Sequence, residues 1–159
     1  MATITKNRSK LRQFGGFTPY GNLSLLPFVV RTSAAGALID SDSTAAIASG
    51  DKLDLGPLPE GFRLSDAIVT VTTGLTAAVT GNLGFEYEDG VDSAEVPQNA
   101  SYFGAALNIN TAAVLRKVTT TAPVILPKPA RLILTTGGAA NAKASEVHIH
   151  ILGELTGPR

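Results

Sequence analysis

Apolar and polar side chains alternate along much of this chain, most clearly where Ala67, Val69 and Val71 interleave with Ile68, Thr70 and Thr72. A period of two is the signature of a strand with one face buried and one face wet. Pro57, Pro59 and Gly61 punctuate the stretch just before it, so Lys52–Gly74 reads as strand, tight turn, strand. Leu83, Phe85 and Tyr87 are expected to point inward while Gly84, Glu86 and Glu88 point out; Val147, Ile149 and Ile151 should likewise oppose His148 and His150. Strands are predicted at Leu23–Thr32, Lys52–Leu55, Arg63–Thr73, Ala77–Glu88, Ala113–Thr119, Val124–Leu126, Arg131–Thr136 and Ser145–Leu155. No segment holds helical spacing over three turns. The expected fold is therefore all-β, an antiparallel β-sandwich of about eight strands, the count of a jelly roll. Its core should include Val69, Val71, Phe85, Tyr87, Val147, Ile149 and Ile151.

Two connections are longer than a compact sandwich needs. Ala34–Gly50 and Asp89–Asn110 are rich in small and turn-forming residues, and the second holds Tyr102 and Phe103 beside Gly104. Aromatics in a polar loop either anchor an interface or tuck back under the sandwich, and Tyr102 and Phe103 are taken as interface candidates. Gly137–Asn141 reads as the loop between the last two strands, because Gly and Asn tolerate positive φ.

Composition alters the picture at three points. The chain has 159 residues, enough for one domain with one core. It has no Cys, which excludes disulfides, thiolate metal sites and a thiol nucleophile. Charged residues are only 16% of the chain, so the surface must carry many small, weakly polar side chains, a finish suited to assembly with copies of itself. The zero formal charge hides an asymmetry: Lys6, Arg8, Lys10 and Arg12 hold four of the thirteen basic residues at the start, leaving the remainder acidic. Residues 1–22 are read as an extended basic arm and residues 23–159 as the sandwich. In an extended arm these four side chains project to one side, with Phe14 and Phe17 behind them. Lacking interleaved aromatics, the arm fits an acidic protein groove better than nucleic acid. The apolar run Leu23–Val30, broken by Pro27, is too short to cross a bilayer as a helix, and no secretory signal pattern opens the chain; no membrane partner is expected.

Candidate chemistry is sparse. A Gly-x-Ser-x-Gly elbow, a phosphate-binding Gly-x-x-x-x-Gly-Lys and a His-Glu-x-x-His pair are all missing, so no enzyme and no cofactor are expected. His148 and His150, the two histidines of the chain, share a strand face with Glu146 and lack a convincing third metal ligand. The acidic residues of Glu86–Glu95, and the pair Asp40 and Asp42, do not match a calcium-binding loop and are read as solvated strand ends.

Three phrases carry a resemblance: Leu53–Val71, with its Leu-Gly-Pro-Leu-Pro-Glu-Gly turn, Leu83–Tyr87, and Pro129–Ala140 with its Thr-Thr-Gly-Gly ending. They resemble small virion proteins of tailed bacteriophages, in particular capsid decoration (cement, or head-stabilising) proteins. The resemblance implies a jelly-roll-like sandwich that binds the outside of a capsid and bridges neighbouring subunits. The major capsid protein and copies of the same chain, as a small homo-oligomer, would be its partners. It implies a location on the virion exterior after synthesis in the host cytoplasm. A head–tail or tail-tube component is the first alternative and a carbohydrate-binding head-fibre module the second. The latter is poorly served by a chain with no Trp, three Tyr and six Phe.

Overall fold

The computed structural model describes residues 2–6, 23–117 and 121–156. Ten strands, and no helix among the described residues, follow one another: β1 (Thr3–Thr5), β2 (Leu23–Thr32), β3 (Lys52–Leu58), β4 (Phe62–Thr73), β5 (Thr80–Tyr87), β6 (Asn99–Asn108), β7 (Ala113–Lys117), β8 (Val124–Ile125), β9 (Ala130–Gly137) and β10 (Ser145–Leu155). They build two packed sheets, one in the order β1-β3-β9-β5-β6 and one in the order β2-β10-β4-β7, with β8 added on β4.

The antiparallel pairs are nested. β2 pairs with β10, β3 with β9, β4 with β7 and β5 with β6, so the chain is one long hairpin whose two limbs alternate between the sheets. That winding is the jelly roll, and the expected all-β antiparallel sandwich is the observed architecture. Among the described strands β8, added on β4, and β1, pairing parallel with β3 at a sheet edge, lie outside this nesting.

Alternation decides which side of each strand is buried. Across the β2-β10-β4 sheet, Phe28, Ile149 and Val69 stand in one row and Val30, Val147 and Val71 in the next, all facing the partner sheet. From the other sheet Leu53, Leu134 and Leu83 form a facing row, and Phe85 sits beside Leu132. Every core residue expected from the alternation, Tyr87 included, is buried. Each such side chain contributes about 1.5–3 kcal/mol through removal from water, and β-branched side chains suit the pleat at these positions.

Three readings of the sequence need correction. The stretch Asp89–Asn110 is not all connection, because its second half is β6. The register between β5 and β6 shifts on both sides of Leu83, which lets Tyr102 and Phe103 both turn inward and erases the period-two signal. β3 continues past Leu55 to Leu58, through a register shift at Gly56 that accommodates Pro57. The long connection Ala34–Gly50 folds back on its own sandwich: Leu38 and Ile47 are buried in the core, and short bridges tie Leu38 to Thr32 and Ala46 to Ala37.

Candidate functional site

The beginning of the chain is a structural strand before it is anything else. Ile4 lies opposite Leu53 and is buried to 3% exposure, plugging the edge of the core. Backbone bonds from Lys52 to the Ala2 carbonyl and from Lys6 to the Asp54 carbonyl hold it on β3. Two carboxylates clamp it further, Asp51 accepting from the Ala2 amide and Asp42 from the Thr5 amide. Lys6, counted from the sequence as part of a basic contact face, turns onto its own chain, where its ammonium donates to the Val29 carbonyl. Desolvation there lowers its pKa against the raising influence of Asp40. Removing residues 1–6 should leave a folded sandwich that melts lower, by about 2–4 kcal/mol of stability, since one buried aliphatic side chain and an edge strand are lost. Thermal denaturation of the shortened protein checks this, and an unchanged midpoint would contradict the docked strand.

The outer faces of the two sheets are finished differently. On the β3-β9-β5 face, Asp54, Ile133 and Gly84 form one cross-strand row, flanked by the row of Lys52, Thr135 and Asn82 and by the pair Arg131 and Glu86. The Lys52 ammonium meets the Glu86 carboxylate at 2.5 Å, so the pair reaches diagonally over the intervening row. Arg131 contacts Glu86 at 2.5 Å and Asp54 at 3.4 Å. At Gly84 the β6 backbone closes in, and a Cβ there would lie 2.0 Å from the Asn99 carbonyl oxygen. The charged side chains roof Ile133, which is 1% exposed although it points away from the core. A paired, balanced set of charges closes this face to apolar contact.

The β2-β10-β4-β7 face is open and largely apolar. Val29, His148, Thr70 and Val114 share one outward row; Pro27, His150 and Ile68 share the next; Leu25 and Leu152 follow, ending at Asp66. Leu23 is 71% exposed, Leu25 38% and Val114 65%. Arg31 with Glu146 stand at one end and Arg63 with Glu154 at the other, while Asp66 ends the Leu152 row and Arg116 of β7 stands in register with Ile68. An antiparallel sheet facing water normally presents polar side chains in these positions.

His148 and His150 lie in the middle of that face. His148 Nε2 is 3.1 Å from a Glu146 oxygen that also takes two hydrogen bonds from Arg31. The Arg31 bonds hold the Glu146 carboxyl below its usual range. Among the described residues no group of three or more His, Cys, Asp or Glu is placed to hold a metal ion. Burial, and then the charge of His148, lowers the pKa of His150 from its ordinary 6.5. Between that lowered value and 6.5 the unfolded chain holds more protons than the folded one, so stability falls as pH drops through 6.5. Denaturation at about pH 7.5 and about pH 5.5 should show this loss, reduced in His150→Gln. A loss of equal size in the variant would place its cause elsewhere.

Of the residues singled out from the sequence, Arg8, Lys10, Arg12, Phe14 and Phe17 lie outside the described residues. Tyr102 and Phe103 are only 4% and 1% exposed, stacked edge to face with each other and, through Tyr102, with Phe85. Their rings fill this chain's own core, and the Tyr102 hydroxyl donates to backbone carbonyls of Leu64 and Ala122. The sequence reading missed Asn141 altogether as a contact-making residue. Its side-chain amide donates to Thr32 Oγ1, the Gly36 carbonyl and the Lys143 carbonyl, and its oxygen accepts from the amide and hydroxyl of Thr76. Gly36 makes this possible, with φ of +85° and Asn141 backbone oxygen 2.1 Å from where a Cβ would stand. No signal in one sequence separates such an Asn from a turn-forming one.

The fold defines a class, the jelly-roll sandwich, here with an added parallel edge strand. No known family and no curated protein sequence matches the chain. Two solved structures share its fold. A chain in the capsid of Ralstonia phage GP4 superimposes with a TM-score of 0.67 over 96% of this chain and 97% of that one, at 15% identity. A chain of the cyanophage Pam1 capsid asymmetric unit gives 0.60 over 94% and 97%, also at 15% identity.

Proposed function

We propose that the protein is a structural component of a phage virion that binds the outside of the capsid and stabilises it by bridging neighbouring capsid subunits. The observation that carries this reading is the end-to-end match to chains of two phage capsids: with 97% of each matched chain covered, each is itself little more than this one sandwich. A subunit of that size suits an accessory of the shell. Bridging requires two attachments on one rigid body, and a ten-strand sandwich with a clamped edge and an open apolar face supplies such a body. Weak contacts suffice, because an accessory that binds only the assembled lattice stabilises it by mass action and by joining adjacent subunits.

The contact on the capsid side is assigned to the basic segment, Arg8, Lys10 and Arg12 with Phe14 and Phe17, pressed on an acidic protein surface. Lys6 is its inner anchor, held on β2 by the Val29 carbonyl. Purified protein mixed with empty heads should coat their exterior in negative-stain images and raise the temperature at which heads rupture. Arg8→Ala, Lys10→Ala, Arg12→Ala triple substitution should lower occupancy, with a moderate salt dependence because exposed ion pairs contribute about 0–1 kcal/mol each. Closed rings or tubes formed by the protein alone, with no binding to heads, would favour the head–tail or tail-tube role instead.

A further inference from the structure

We infer that the outer face of the β2-β10-β4-β7 sheet is a contact between two copies of this chain, stacked sheet against sheet. Three of the five exposed large apolar residues among the described residues, Leu23, Leu25 and Val114, lie on this one face, at opposite edges of the sheet. The opposite face of the sandwich carries the charged roof over Ile133, so the two surfaces are not equivalent in what they can exclude from water.

A second copy fits better than an unrelated surface for two reasons. The first is area. Four strands about 4.8 Å apart, paired over about five to seven residues at about 3.3 Å each, give roughly 300–450 Å² of flat sheet per copy. Side-chain relief raises the accessible area further, so two such faces bury about 1,000 Å² or more, the lower bound for a specific interface. Stacked sheets about 10 Å apart are also an established packing mode for aligned strands. The second reason is charge. Each end of the face carries one residue of each sign: Arg31 and Glu146 at one, Arg63 and Glu154 at the other. In a two-fold arrangement that reverses strand direction, Arg31 approaches Glu154 of the partner subunit and Glu146 approaches the partner's Arg63. The symmetry repeats both contacts, leaving Leu25, Leu152 and Pro27 between them, with Asp66 and Arg116 towards the β4 and β7 side.

The inference stands apart from the virion reading, because its test uses the purified protein without heads. Sedimentation equilibrium from low to high micromolar concentration should show a reversible dimer. Leu25→Glu and Val114→Glu, at exposed positions on opposite edges, should each weaken the dimer by at least about 100-fold, since an apolar contact is replaced by a desolvated charge. Val91→Glu, an exposed apolar position away from this face, should leave it unchanged. Circular dichroism and melting measured on the same samples verify that each variant is folded. A wild-type monomer throughout the range overturns the inference, and so does a dimer that both face variants retain or that Val91→Glu disrupts equally.

Discussion

Ile149→Asp should yield no soluble folded protein. Ile149 is fully buried at the centre of β10, between Phe28 of β2 and Val69 of β4, and no cation faces it there. An unpaired carboxylate in that row costs several kcal/mol, and the lost aliphatic packing adds about 2–4 kcal/mol. Against a total stability of about 5–15 kcal/mol, little of the native state survives. His148→Asp, one residue away on the opposite face, should remain soluble, because its side chain reaches water. Expression, solubility and far-ultraviolet circular dichroism of the two variants decide the matter. A soluble Ile149→Asp with normal melting would contradict the assignment of the inward face.

Asn141 should be the most sensitive polar position. Asn141→Ala removes five side-chain hydrogen bonds at a site that is 1% exposed and strands the Thr76 amide, while the Gly36 carbonyl keeps the Ile47 amide and the Lys143 carbonyl keeps the Thr32 and Ser145 hydroxyls. Only part of each bond counts towards net stability, but buried groups left without partners cost about 1–3 kcal/mol each. A total of roughly 3–5 kcal/mol is expected, or about 10 °C or more in melting temperature. Asn141→Asp should be worse, because a carboxylate would face the three acceptors that the amide now satisfies. Urea denaturation measures both. A midpoint unchanged in the alanine variant would show that the loop Ala34–Gly50 is held by Leu38 and Ile47 alone.

Much of the sandwich was legible in the sequence for a simple physical reason. Where a strand has one wet face and one buried face, solvent imposes a binary choice at each residue, and β2 and β10 were delimited residue for residue. β1 was hidden because three residues are too few to show alternation and its neighbours are basic. β6 was hidden because its register shifts set two aromatics side by side on the same face. The surface features were invisible on different grounds. The roof over Ile133 depends on which residue of β3 stands beside which residue of β9 and β5, information that lies in pairing and not in any one strand. The open face depends equally on pairing, since Leu25, Leu152 and Ile68 are unremarkable in sequence and become a surface only when the register aligns them. Glu146 beside the two histidines was expected and is where alternation placed it. Asn141 was expected to serve a turn through positive φ, and serves it through its amide instead.

The nested pairing has a consequence for synthesis. β10 lies between β2 and β4, so β2, made early, has no partner in that sheet until the last of the ten strands is made, and β4 has only β7 and β8 until then. Until that strand leaves the ribosome, the inward faces of β2 and β4 are exposed side by side with a strand-wide gap between them. The nascent chain is then a wedge of unsatisfied backbone and apolar side chains, open to chaperones, proteases and neighbouring chains on the same messenger. Closure of this sheet is thereby deferred until β10 is made, and a ribosome stalled before Ser145 holds a product that cannot close.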